Sequence, residues 1–157
     1  MNKATLSTLS LFFGLPAAIP AGASEIECYD AKVWAKPVAQ IPSAYPRDDD
    51  PDVIIISWPW FLDLKIQRVL DGDVERGTVT ALAVMHNNYV KKNRTWLLRK
   101  NTVGMFNVVR SDSPASIRRC NPDTLPAKPY ITPAPDKTYA DLRREGEEEY
   151  RRYSEDD

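Results

Sequence analysis

The clearest pattern in the chain lies at residues 61–70, Phe-Leu-Asp-Leu-Lys-Ile-Gln-Arg-Val-Leu, where Leu62, Leu64 and Ile66 alternate with Asp63, Lys65 and Gln67. A period of two places one set on each face of an extended strand, so this stretch predicts a half-buried β-strand. Further strands are expected over 32–41, where Pro37 implies a bulge or an edge, and over 53–57 (Val-Ile-Ile-Ile-Ser), whose unbroken apolar run suits a strand covered on both faces. Residues 78–86, 94–100 and 105–110 complete the set. Asp71-Gly72-Asp73 through Gly77 supplies turn chemistry between two of them. Five or six short strands with turns between them predict a mainly all-β fold, a small antiparallel OB-like barrel.

The two ends of the chain read differently. Met1-Asn2-Lys3, an apolar stretch and the small residues Ala21-Gly22-Ala23 follow the plan of a secretory signal peptide over 1–23. Gly14, Pro16 and Pro20 break that apolar stretch and make it a poor membrane span, so no stable membrane insertion is expected after cleavage. The mature domain is expected over 24–120, secreted or periplasmic. Residues 121–136 carry five prolines and should run as an extended arm. Residues 137–157 predict a charged helix with Thr138 as N-cap, solvated and frayed, with docking to a partner as the alternative.

Composition narrows the function. A formal charge of −1 gives no basic excess of the kind that phosphate neutralisation requires, so no nucleic-acid partner is expected. The local cluster Lys91, Lys92, Arg94, Arg99 and Lys100 reads as a solvated hairpin edge. Cys28 and Cys120 are the two cysteines, an even count that in an oxidising compartment predicts a disulfide tying the domain's ends together. Closing so long a loop is worth roughly 4–5 kcal/mol by chain entropy. With the cysteines paired and one histidine, His86, no metal or other cofactor is expected.

Four sequence blocks, residues 33–43, 61–74, 77–84 and 95–109, resemble the plan of secreted netrin-like, OB-type domains. Arg68-Val69-Leu70-Asp71-Gly72 is the sharpest element. The tissue inhibitors of metalloproteinases belong to this group, as do many small bacterial exported proteins. The resemblance covers about residues 32–110 and implies a compact barrel with an exposed groove. The inhibitors chelate a target's zinc through an N-terminal Cys-x-Cys. Here Cys28 lies inside the expected mature chain with no cysteine two positions away, so that mechanism does not carry over.

Candidate chemistry is sparse. A hydrolase would need His86 beside a nucleophile such as Ser57, Ser111, Ser113 or Ser116, and no G-x-S-x-G marks any of them. Asp63 and Asp71 could pair as acid and base, but they read as surface residues. Binding is the better expectation. Pro59 should turn a corner between two strands, with Trp60 inward and Phe61 outward, while parity leaves Trp58 open between core and exposed platform. Trp34 and Trp96 are expected in the barrel. Exposed together, Trp58 and Phe61 would form an aromatic patch near His86, suited to a protein or an envelope saccharide. The sequence thus points to an exported, non-catalytic binding or accessory module of the envelope. A hydrolase using His86 and a structural envelope protein without a discrete ligand are the alternatives.

Overall fold

The computed structural model describes residues 28–44, 57–89, 91–109 and 116–155; the signal-peptide reading over 1–23 and the strand expected at 53–57 lie outside them, save Ser57, which just precedes a strand. Eight elements follow along the chain: β1 (Cys28–Tyr29), β2 (Ala31–Pro42), β3 (Trp58–Gly72), β4 (Gly77–Met85), β5 (Arg94–Lys100), β6 (Phe106–Val108), β7 (Arg118–Arg119) and α1 (Tyr139–Glu155). Strands β2 to β6 close a barrel in the order β2-β3-β4-β6-β5. β2, β3 and β4 form a meander, and β5 returns to lie beside β2, which is the Greek-key order of an OB-like barrel.

The closure corrects one expectation. β4 and β6 pair in parallel, Ala81 with Phe106 and Leu82 with Asn107, whereas the other four seams are antiparallel. A ring of five strands cannot alternate direction all the way round, so one parallel seam is forced. Closing the ring also removes the sheet edges that would otherwise invite aggregation.

Alternation along β3 sets the core. Trp60, Leu62, Leu64 and Ile66 point inward and meet Val33 and Ala35 of β2, Ala81 and Ala83 of β4, and Trp96 and Leu98 of β5. Alanines opposite tryptophans and leucines let large and small side chains fill a narrow interior. Pro37 lies past Ala35, the last β2 residue paired with β5, and beside a register shift between Pro37 and Ala39. That is the bulge its missing N–H requires. Trp34 departs from expectation: its parity is opposite to Val33 and Ala35, and it is half-buried on the outside.

Pro59 does not turn a corner. It lies within β3 opposite Val84, and its carbonyl accepts from the Ser43 N–H at 3.0 Å and the Ser43 hydroxyl at 2.7 Å. Position 59 is close to the strand's start, where a proline is tolerated.

The disulfide joins Cys28 to Cys120 across a sequence separation of 92. It is flanked by the short parallel pair β1–β7, which the sequence did not announce. Gly72 closes β3 with φ of +81°, and a Cβ there would collide with the Asp30 carbonyl, so only glycine serves.

The proline-rich arm is not a loose connection. Arg99 donates to the Leu125 carbonyl, Asn107 Nδ2 to the Lys128 carbonyl at 2.6 Å, and Ala127 N–H to the Lys100 carbonyl at 2.9 Å. Arg99 is therefore no solvated edge cation: it is 8 % exposed and ion-paired with Asp30 at 2.7 Å. Among the described residues no helix is long and apolar enough to cross a membrane.

Candidate functional site

The barrel has two unlike ends and one covered flank. At the first end, the start of β3, the last residues of β4 and the start of β5 converge. Trp58 and Trp60 stack at 5.7 Å with their planes 31° apart. Met85 stands opposite Trp58, and His86 follows it on an exposed bend. Tyr89 is held by Gln40 from two sides, its N–H bonded to Oε1 at 2.6 Å and its carbonyl to Nε2 at 2.9 Å. So fixed, its ring meets Trp96 edge-on at 4.9 Å. Arg94 lies over both rings, 4.8 Å from the Tyr89 centroid and 5.3 Å from that of Trp96, a geometry in which the π faces attract the guanidinium. Tyr150 of α1 completes this end, edge-on to Trp60 at 6.4 Å and 44 % exposed. The Trp60 indole N–H is buried and has no acceptor among the described residues.

The second end is charged. Asp30 Oδ2 accepts from Arg99 Nη1 and from the Lys100 N–H, both at 2.7 Å. Asp71 accepts from the Tyr29 hydroxyl at 2.8 Å, from the Gly72 N–H at 2.8 Å and from Arg119 at 3.2 Å. The Tyr29 bond above all, with the Gly72 N–H and the Arg119 and Lys32 charges, holds the Asp71 carboxyl below the usual carboxylate range. Beside the disulfide, Asp30, Asp73, Lys100 and Arg119 line an open depression of about 460 Å³.

Between the ends, α1 covers an outer flank of the barrel. Phe61 and Leu82 face outward from adjacent strands and are buried to 2 % and 0 % exposure beneath Leu142, with Ile41, Met105, Ile131 and Tyr139 around them. Arg143 grips Asp63 with both terminal guanidinium nitrogens, at 2.9 and 2.7 Å, while the Thr80 hydroxyl donates to the same carboxylate at 2.7 Å. Burial pushes the Asp63 carboxyl up. The Arg143 and Thr80 bonds and the Arg143 charge outweigh that, and the group titrates below the usual range.

These positions revise the expected patch. Trp58 is half-buried, packed against the core, and adjoins the strand that leads into His86. Phe61 does point outward, yet it is not exposed, because the helix expected to be solvated docks on it. Of the serines considered beside His86, Ser57 and Ser116 are exposed, and Ser111 and Ser113 lie outside the described residues. Asp63 and Asp71 sit eight residues apart on one strand, roughly 26 Å, too far for a carboxylate pair. No group of three or more His, Cys, Asp or Glu that could hold a metal occurs among the described residues. Comparison with protein families, with curated proteins and with solved structures returns no match to this chain.

Sequence reasoning missed Tyr89, Arg94 and Tyr150 at the aromatic end. Arg94 was visible within the basic cluster, two residues before Trp96, but nothing in the sequence indicated that Tyr89 packs back against Trp96.

Proposed function

We propose that the chain is an exported, non-catalytic binding or accessory module of the cell envelope, whose docking surface is the aromatic end of the barrel. One observation carries this reading: half-buried Trp58 and Tyr89, the Arg94 guanidinium over Tyr89 and Trp96, and exposed His86 and Tyr150 meet at one end of the strands. Rings held rigid by Gln40 and by neighbouring indoles lose little conformational freedom on binding, and such anchors dominate recognition surfaces. Arg94 adds a cation suited to a carboxylate or phosphate on the partner. The partner is a protein or an envelope saccharide. Export rests on the N-terminal pattern, and a disulfide accords with an oxidising compartment. The netrin-like resemblance supports the reading only at the level of fold, since a barrel of this kind hosts many functions.

A photo-activatable amino acid at exposed position 86, in a chain confirmed to be exported and oxidised, tests this in cells. A discrete heavier band that disappears with Trp58→Ala and Arg94→Ala is expected, with digestion by protease or by glycan hydrolase separating the two partner classes. Adducts that ignore both substitutions, or none at all, would refute the assignment.

A further inference from the structure

Arg94 lacks what the other arginines withdrawn from solvent have. Among the described residues, buried Arg99 holds Asp30 and half-buried Arg143 holds Asp63. Arg94 is half-buried too, yet among the described residues its side chain makes no ion pair and no hydrogen bond. Its contacts are the faces of Tyr89 and Trp96, 4.8 and 5.3 Å from the guanidinium carbon, which position the group and leave its N–H donors without an acceptor. The rings beneath it are themselves fixed. Gln40 binds the Tyr89 backbone from both sides, and the Trp96 indole N–H donates to the Ala35 carbonyl at 3.0 Å. The cation is thus set in place before any ligand arrives, with little side-chain freedom left to lose.

Nothing in the strands around it cancels that charge. The chain carries no Asp or Glu between Asp30 and Asp48, nor between Glu75 and Asp112, the stretches that hold β2, β4, β5 and β6. On β3, Asp63 is taken by Arg143, and Asp71 by Tyr29 and Arg119 at the far end. Further cations gather instead. Lys91 and Lys92 are exposed just before Arg94, and exposed Lys36 follows Ala35, the β2 residue paired with Arg94. None of these lysines forms an ion pair among the described residues. A chain of net charge −1 therefore collects uncompensated cations around the start of β5.

We infer that this patch is a subsite for a uronate-type residue of an acidic polysaccharide, with Arg94 on its carboxylate and Tyr89 against a C–H face of its ring. The inference rests on the reading of the aromatic end as the docking surface and names the class of partner. A planar carboxylate matches the guanidinium fork in two parallel bonds, and partial withdrawal from water strengthens the attraction. Tyr89 is half-buried, so part of its ring stays in solvent beside that fork. A uronate carries its carboxylate and an apolar face on one rigid ring. An acidic peptide carries carboxylates on flexible stems, with no flat face to set against the tyrosine. Repetition along the polymer supplies further carboxylates to Lys36, Lys91 and Lys92. Nucleic acid is the poorer fit, because so small a patch on a chain of net negative charge neutralises few phosphates.

Fluorescence anisotropy of a labelled oligogalacturonate, titrated with the oxidised full chain, tests this. Saturable binding that weakens as salt rises is expected. Arg94→Lys keeps the charge and removes the fork, and should weaken binding about tenfold with the urea midpoint unchanged. The methyl-esterified oligomer keeps the sugar ring and removes the charge, so the wild type should bind it about tenfold less tightly as well. Arg118→Ala, which removes an exposed cation at the charged end, should bind like the wild type. No binding overturns the inference. So does equal binding of the ester, or an Arg118→Ala loss as large as that of Arg94→Lys. Poly-glutamate or phosphatidylglycerol vesicles bound more tightly than the oligogalacturonate would assign the patch to protein or to lipid and overturn it too. A protease-sensitive adduct at position 86 with no galacturonate binding would remove this partner class and leave the docking surface standing. Absence of both would remove the surface itself.

Discussion

Gly146→Ala sets two physical effects against each other within one methyl group. In an isolated helix, alanine is about 1 kcal/mol better than glycine, so propensity alone predicts a firmer α1. The structure predicts the reverse. A Cβ at 146 would stand 3.1 Å from the Pro42 carbonyl carbon and 3.3 Å from the Ala44 nitrogen, with the Pro42 carbonyl oxygen closer than either. All three are backbone atoms at or just past the end of β2 and cannot rotate away, so the helix must retreat by about 1 Å or more. A gap of about 0.5–1 Å already forfeits a quarter to a half of each dispersion contact it opens, and a wider one forfeits most of it. Leu142 against Phe61 and Leu82 represents about 1.5–3 kcal/mol of burial. The Asp63–Arg143 fork, with side chains 15 % and 29 % exposed, adds about 1 kcal/mol after allowance for solvent. Loss of most of both, less the propensity gain, leaves α1 held about 1–3 kcal/mol less firmly. Native-state hydrogen exchange reads this directly: protection at amides 142–152 should fall roughly 5- to 150-fold. Protection in Leu62, Leu64 and Leu98 should be unchanged, because the interior is untouched. A rise in helix protection of about fivefold would mean that propensity wins, and that the crossing at Pro42 does not constrain the helix.

Three further outcomes follow from the same contacts. The Asp63 carboxyl titrates below its unfolded value, so the stability it contributes is present above about pH 4 and is lost as pH falls through the folded value. Hydrogen exchange of α1 should accelerate below pH 4 by more than the barrel's does, and Asp63→Asn should remove that extra step. Arg99→Met should lower stability by about 2–4 kcal/mol, read in a urea melt, because it strips Asp30 of its guanidinium partner and frees the Leu125 carbonyl; a change under about 0.5 kcal/mol would mean the pair is dispensable. Reduction of Cys28–Cys120, or Cys120→Ser, should cost roughly 3–5 kcal/mol in the same melt, with the first loss of exchange protection at β1 and β7.

The core was legible in the sequence because alternation is a local signal. Leu62, Leu64 and Ile66 announce their face, and extending the period back places Trp60 inward and Phe61 outward, as found. The strand bounds of β5 and the turn glycines are local too. What the period cannot reveal is what stands outside a face. Phe61 and Leu82 both read as outward positions, and whether an outward phenylalanine is a platform or a floor depends on an element some 80 residues away. The parallel seam was hidden for a different reason: it follows from strand number and closure, not from any residue in β4 or β6.

The misreading of α1 has a specific cause. A helix this rich in Glu and Arg, with few apolar side chains, looks solvated by any average over its length. Its docking rests instead on discrete positions: a leucine, an arginine that forks onto Asp63, and a glycine in a helix interior. The glycine was the available signal. It weakens a helix by about 1 kcal/mol, so its presence there requires a return, and close approach to another backbone is the return that only glycine permits. The Thr138 cap argues the same way, for Thr138 and Asp141 exchange bonds at 3.2 and 3.0 Å and set the start of the helix. That start fixes which residues share the stripe. Shift it by one position and Gly146 no longer faces Pro42, nor Arg143 the Asp63 carboxylate. Cap, glycine and fork therefore specify one docked register, and the surface beneath α1 is selective for the same reason that the helix was hard to read.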